Sequence, residues 1–481
     1  MASKKRPETS NIVSTITLPL KYTHAQEIRL DKAFRAANDL KNCLIANRLT
    51  ALKQLEKTKV WRKNQKRITF CYRTIHESQD ILKGIKDKRT KAAAEQRKKA
   101  KAAIKHAKAL LKDSFKVKNH LLQVYDFTAA SFEKRVKEYR YVTYQLVHSQ
   151  VAQNIAKDVW KSFEDYFYGS GKEIKFSSRF NFLTIRGKSN KTGICYQDGI
   201  VDTLNMYLGV KIDRKDKYNY QYEALSRTVH FCSIKRRWYP NGWRYFVQLT
   251  YAGDPPVKVA PETGEVLHPL GKGRVGNDIG PQTLATVSDH NAALVVLAER
   301  SQDLQKQLRR INRAMDRSRR AMNPAMFDDK GSVIPITELP PELVSKRGKR
   351  LWNESRRYKA LASRRRYLYR KQAESRLLQH RELANKLLSL GDQHYIEKMD
   401  FSALAKRAKE TKISPYAGKS QRKKRFGKSI ANKAPAMFVK IYEQKVIHAG
   451  GSFQYINTQK AKASQYNHQT FAYKKKHLSK R

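Results

Sequence analysis

Residues 11 to 22, NIVSTITLPLKY, alternate apolar and polar side chains and are rich in β-branched ones, the pattern of a β-strand. A lone strand is not stable, because its backbone donors and acceptors need partners. The adjoining segment cannot supply them. From His24 to Lys57 the apolar residues Leu30, Phe34, Ala37, Leu40, Leu44 and Ile45 fall largely at three-and-four spacing, which predicts a helix. A second helical region is expected from about Ser78 to Gln150. Strand-forming text returns only between Ser177 and Pro256, where HFCSIKRRW and WRYFVQLTY are split by the turn Tyr239-Pro240-Asn241-Gly242, a β-hairpin signal. The first strand therefore has to pair across the helical stretch, which becomes an insertion into a small β-domain.

A linker, GDPPVKVAPETGEVLHPLGKG, ends at Gly273. Beyond it come three expected strands, Arg274 to Asp278, Thr283 to Val287 and Ala292 to Leu297, then a charged helix from about Arg300 to Met322 and a long basic helical region from about Leu343 to Leu390. HYIEKMDFSAL reads as a strand running into a loop, residues 406 to 433 as a Lys/Arg-rich stretch, and ANKAPAMFVKIYEQKVIHAGGSFQYIN as a helix followed by a strand. Strands alternating with helices in this way indicate an α/β domain. The chain is thus multi-domain, α+β in its first half and α/β in its second.

Charge identifies the class of partner. The 481 residues include 100 Lys+Arg against 42 Asp+Glu, a net charge of +58. Self-repulsion on that scale opposes compaction. A polyanion relieves it and releases its own condensed counterions, so binding to nucleic acid should weaken steeply with salt. A spanning segment needs about 18 consecutive apolar residues, and the sequence has no such run. Nor does MASKKRPETS lead into the apolar core of a signal peptide, so a cytoplasmic location is expected. Cys43, Cys71, Cys195 and Cys232 are far apart and form no CxxC pair, which suits a reducing compartment and gives no metal signal.

Within the helical insertion, EQRKKAKAAIKHAKALLK (Glu95 to Lys112) is rich in Ala and Lys. It is either a solvated helix of high propensity or a helix lying along a phosphate backbone, which makes Lys98, Lys99, Lys101 and Lys105 candidate contacts. Arg236 and Arg237 in the hairpin are further candidates. So are Lys419, Arg422, Lys423, Lys424, Arg425 and Lys428. Trp238, Trp243, Tyr245 and Phe246 either stack on bases or belong to the core.

Two acids are placed unlike the rest. Asp278 ends a short candidate strand between Gly276 and Gly280, where small neighbours leave room for a bulky ligand. Glu397 follows Tyr395 and Ile396 in a short apolar strand within a basic region. They are far apart in sequence but can meet at the ends of adjacent strands, the usual site in α/β sheets. Phosphodiester cleavage needs charge stabilisation and an activated water, and two divalent ions supply both. Carboxylates are the hard oxygen ligands such ions prefer. The alternative is that Asp278 closes a turn and Glu397 pairs with a lysine.

GNDIGPQTLATVS resembles the first nuclease motif of the TnpB family, transposon-encoded RNA-guided DNA nucleases with a RuvC-type domain that are similar to type V CRISPR effectors. YIEKMDFSALAKRAKE resembles the second motif and its following loop. KKRFGKSIANKAPAMFVKIYEQKV resembles the next helical segment. KASQYNHQT resembles the region where many members carry a cysteine zinc ribbon. The resemblance implies a wedge-type β-barrel from residues 1–23 and 177–272, a helical recognition lobe at 24–176 and a RuvC-like, RNase H-like nuclease domain at 273–460. Residues 461–481 would be a degenerate zinc-ribbon-like region. It further implies that Asp278 and Glu397 bind magnesium in a two-metal site, that a guide RNA from the transposon end and a double-stranded DNA target are the partners, and that the protein does not transpose DNA itself. The oligomeric state is open, with a monomer favoured.

Two departures qualify this expectation. Where the family has cysteines after a Ser-Gln pair, this chain has Ser464, Gln465, Tyr466, Asn467 and His468, so no structural zinc is assigned. The family's third carboxylate lies beyond the zinc-ribbon region, and no acid follows Glu443. The domain is therefore expected to be C-terminally incomplete here. A longer reading frame that supplies this acid implies an endonuclease, and one that does not implies an RNA-guided DNA-binding protein without cleavage, acting as a repressor.

Overall fold

The computed structural model describes residues 12–457 except 86–89, 144–145, 170, 172, 346–347, 407–411, 414–419 and 422–425, together with 466–467, 470 and 472–473. The opening strand, β1 (Val13–Lys21), is followed by five helices: α1 (His24–Lys57), α2 (Lys59–Gly84), α3 (Lys91–Val124), α4 (Ala129–Arg140) and α5 (Ser149–Tyr168). Then come β2 (Thr184–Arg186), β3 (Ile194–Gln197), β4 (Ile200–Thr203), β5 (Met206–Val210), a short helix α6 (Tyr220–Leu225), β6 (Val229–Tyr239) and β7 (Gly242–Ala252). These strands form one seven-stranded sheet in the order β2-β6-β7-β1-β5-β4-β3. β1 is its hinge, pairing with β7 from Val13 to Pro19 and with β5 at Leu20 and Lys21. The sheet curls until β3 approaches β6, leaving a near-closed barrel.

The long-range pairing demanded by the first strand is thus met by β5 and β7. The helices inserted between β1 and β2 start cleanly because Thr23 and Gln26 form a reciprocal capping box at the start of α1. One face of α1 then packs on the barrel, with Phe34 lying 5.8 Å from Tyr245 and 6.3 Å from Phe182 between ring centroids. The helical boundaries differ from expectation. α2 begins at Lys59 rather than near Ser78, and α5 adds a further helix. The β6–β7 hairpin turns through the two residues between Tyr239 and Gly242, as expected for this turn sequence.

The second half contains β8 (Arg274–Ile279), β9 (Thr283–Ser288), β10 (Ala292–Val296), α7 (Gln302–Met322), α8 (Arg356–Leu388), β11 (Gln393–Glu397), α9 (Phe401–Ala405), the short pair β12 (Lys412–Ile413) and β13 (Ser420–Gln421), α10 (Gly427–Lys433), α11 (Pro435–His448) and β14 (Ser452–Ile456). α8 starts at Arg356, so the described residues between 343 and 355 are not part of the long helix that the basic composition suggested. The five-stranded sheet has the order β10-β9-β8-β11-β14. β8, β9 and β10 form an antiparallel meander, whereas β11 runs parallel to β8 and β14 parallel to β11. Ile279, Leu284 and Ile396 from the sheet pack against Leu387 and Leu388 of α8 and Phe438, Tyr442 and Val446 of α11.

α8 joins the two halves. Its Ser363 carbonyl accepts from Trp238 Nε1 at 3.2 Å, and Arg370 Nε donates to the Trp238 carbonyl at 2.8 Å. Arg366 stacks 3.5 Å above the Phe180 ring. Arg237, half-buried, lies over Phe246 and pairs with Glu374 at 3.5 Å, so it faces α8. No helix among the described residues is long and apolar enough to cross a membrane.

Candidate metal and nucleic-acid sites

Burial alternates along β8, with Val275, Asn277 and Ile279 turned into the core and Gly276 and Asp278 turned out. β11 alternates in the same way, burying His394 and Ile396. The parallel register pairs Tyr395 with Gly276 and Ile396 with Asn277. The next step along both strands brings Glu397 beside Asp278 on the outward face. The geometry therefore unites two acids 119 positions apart. Their proximity is electrostatically visible: burial, and then the charge of Asp278, push the Glu397 carboxyl above its ordinary range.

These acids stand at the carboxyl ends of β8 and β11. From β8 the chain first moves outward through β9 and β10, then returns to place β11 on β8's other flank. The crevice between β8 and β11 is thus where the strand order reverses, the location at which open α/β sheets bind ligands. Packing does not demand glycine at 276, since an added Cβ would meet only the Val287 carbonyl oxygen, at 3.9 Å. Glycine there leaves the face beside Asp278 bare. Asp400, although close in sequence, caps α9 by accepting from the backbone N–H groups of Ser402 and Ala403 at 2.9 and 3.0 Å. Among the described residues no third His, Cys, Asp or Glu completes a metal-binding group with the pair.

A buried polar chain braces the strands from behind. Asn277 Nδ2 donates to the Tyr395 carbonyl at 3.2 Å, linking β8 one residue before Asp278 to β11 two residues before Glu397. His394 Nε2 lies 2.9 Å from the Gly391 carbonyl oxygen. A carbonyl can only accept, so Nε2 carries the proton and Nδ1 accepts from the Tyr442 hydroxyl. His380 makes a similar 2.9 Å contact with the Lys433 carbonyl. Burial lowers the pKa of both histidines. Their unfolded reference is about 6.5. Below it the unfolded chain binds more protons than the folded one, so stability falls as pH drops from about 6.5 towards the depressed folded values. The expected loss is up to about 1.4 kcal/mol per histidine per pH unit. Calorimetric melting at pH 7.5 and 5.5 should show this domain's transition moving down, and a transition that stays fixed would remove the two histidines as the cause.

The candidate nucleic-acid contacts divide. Lys98, Lys99, Lys101 and Lys105 are exposed on α3, with Lys99 paired to Glu95 at 2.9 Å. Lys428 is exposed on α10. Lys419, Arg422, Lys423, Lys424 and Arg425 lie outside the described residues, as do Ser464, Gln465 and His468 of the zinc-ribbon-like segment. Arg236 corrects the sequence reading. It is 1 % exposed, its guanidinium sandwiched between Phe34 at 4.4 Å and Trp243 at 4.2 Å. Nε donates to the Phe182 carbonyl, Nη2 to the Arg179 carbonyl, and Nη1 to Asp31. A phosphate cannot reach it. Trp243, Tyr245 and Phe246 are likewise core residues, and Trp238 is half-buried against α8, so none is a base platform.

Neither a scan against protein-family models nor a search of curated proteins gives a match. The functional reading therefore rests on this chain's own geometry and charge.

Proposed function

We propose that this chain is an RNA-guided DNA endonuclease associated with a transposon, hydrolysing phosphodiesters at a RuvC-like site built on Asp278 and Glu397. The observation that carries the reading is the convergence of these acids at the point where the strand order reverses. Three antiparallel strands followed by two parallel ones, with acids on the first and fourth in chain order, is the arrangement expected of an RNase H-like nuclease domain. The donor set fits magnesium: these are two hard carboxylates, and because burial and then the charge of Asp278 disfavour the ionised form of Glu397, the pair would gain from a bound cation.

Asp278 and Glu397 would hold the ions from their neighbouring strands. When bound, the ions would stabilise charge on the phosphoryl oxygens and lower the pKa of an attacking water. The protein's own contribution is positional. The Asn277 amide fixes β8 against β11, and the Tyr442–His394 contact fixes β11 against α11. The exposed cations, Lys98, Lys101, Lys105 and Lys428 among them, would hold phosphate backbone without reading sequence. Base pairing with a guide RNA would supply sequence recognition.

A second reading, guided DNA binding without cleavage, is favoured by the two-member acid set found among the described residues. One experiment separates the two. RNA that copurifies with the protein is sequenced, and a randomised double-stranded DNA library carrying its complement is incubated with the loaded protein and magnesium. A discrete RNA from one transposon end and cleavage at its complement are expected. Discrete RNA with uncut but retained DNA selects the binding-only reading, and nonspecific RNA overturns both.

A further inference from the structure

Helices α2 and α3 form an antiparallel two-helix arm. On α2 the buried positions are Trp61, Asn64, Ile68, Cys71 and Ser78, a three-four seam of the coiled-coil type. On α3 they include Ala100, Ala107, Ser114 and Lys118. Asn64 Nδ2 donates to the Ser114 carbonyl at 2.9 Å and fixes the register. This seam turns the opposite face of α2 to solvent, and Phe70 stands there, 53 % exposed. Around it, seven, four and three positions before and three after, are Lys63, Lys66, Arg67 and Arg73, all exposed. At those spacings all four share the helix face with the ring and lie within about two turns of it.

The nearest acid on this stripe is Glu77, as far beyond the ring as Lys63 is before it, so cations outnumber acids there four to one, while Asp80 is engaged by His76 and Lys83. A single exposed phenylalanine is ordinary. One enclosed by four cations, on a helix that buries Trp61 in its seam and carries the exposed Tyr72 about 200° round from the ring, has the composition of a base-stacking platform, with charge for the backbone and a π face for the base. The geometry points to this face of α2 as a binding site for single-stranded nucleic acid, with Phe70 stacked on an unpaired base and Lys63, Lys66, Arg67 and Arg73 on the flanking phosphates. Duplex is disfavoured because its bases are already stacked and present no free face to the ring. An anionic membrane is disfavoured because, among the described residues, no second exposed apolar group adjoins Phe70 on its own face of α2: Tyr72 stands about 200° round the helix, and Val60 and Ile81 lie about 15 Å away along the axis. The inference rests on the proposed function only in taking the ligand to be nucleic acid.

The test is photo-cross-linking of the full chain to single-stranded RNA carrying 5-iodouridine and to the matching DNA carrying 5-iododeoxyuridine. The expected cross-link maps to the peptide containing Phe70, is lost in Phe70→Ala, and returns in Phe70→Trp. Whichever strand cross-links more efficiently identifies the source. Affinity for that strand should fall about 5-fold or more in Phe70→Ala, with no change for a duplex of equal length. Cross-links confined to other segments, equal losses on duplex, or Phe70→Trp fluorescence responding to phosphatidylserine vesicles but not to RNA would overturn the assignment. Asp278→Ala should cross-link like wild type. Guided cleavage that persists without a Phe70 cross-link defeats this inference alone, and a Phe70 cross-link without guided cleavage defeats the endonuclease reading alone.

Discussion

Asp278→Ala should abolish magnesium-dependent cleavage by the guide-loaded protein while leaving its affinity for RNA and target DNA within about two-fold. Removing one preorganised charge-stabilising group costs at least about 10²–10³ in rate, and a metal ligand shared with a neighbouring acid should cost no less. The binding side of the prediction follows from placement. Asp278 is an acid, so its loss does not weaken attraction for phosphate. A readout independent of activity accompanies it. Because Asp278 and burial hold the Glu397 carboxyl above its ordinary range, the pair is destabilising when both are charged. Asp278→Asn should raise the melting temperature without magnesium, and magnesium should stabilise wild type but not the variant. Unchanged cleavage in Asp278→Ala, or an equal magnesium shift in both proteins, would remove this residue from the site.

The second large effect is structural. Arg236→Ala should destabilise the barrel and its helical insertion by about 3–5 kcal/mol, the range for removing one partner of a buried ionic cluster. The guanidinium donates to two carbonyls and to Asp31 and fills the space between Phe34 and Trp243. Alanine orphans the carbonyls and opens a cavity between the rings. Arg236→Lys should also lose most of this, since an ammonium lacks the planar fork that meets three acceptors while stacking. Nucleic-acid affinity per folded molecule should not change, which separates this role from phosphate contact. A denaturant midpoint equal to wild type would show that the cluster contributes nothing net.

The parts of the molecule that were legible in sequence are those where a short-range pattern has one structural solution. β1 was recognisable from alternation, and the need for distant partners followed from hydrogen-bond satisfaction. The β6–β7 turn was fixed by its Pro-Asn-Gly text. Asp278 stood out because it ended a short candidate strand between Gly276 and Gly280, and Glu397 because it followed a short apolar strand in a basic setting. Most of α2, from Lys59 to about Glu77, was missed because Thr69, Phe70, Tyr72 and Thr74 weaken its intrinsic helix propensity, and packing against α3 supplies what propensity does not. Arg236 was misjudged because the text KRRW looks like surface. Its phase was available, since it sits two and four residues from the buried Ile234 and Cys232. Asn277 carried the same signal, in step with Val275 and Ile279. Tyr442 and His394 could not be paired from sequence, because their contact depends on how α11 crosses the sheet.

Helix α8 has a mechanical consequence. Its 33 residues make a rod about 50 Å long. One stretch is anchored to the β6–β7 hairpin through Ser363, Arg366 and Arg370, and the other is locked into the sheet core through Leu387 and Leu388, five residues ahead of β11. A rod clamped at both ends transmits tilt as a lever. A rotation of the barrel would thus be delivered through α8 to the strand carrying Glu397 and would act on the spacing of the two acids.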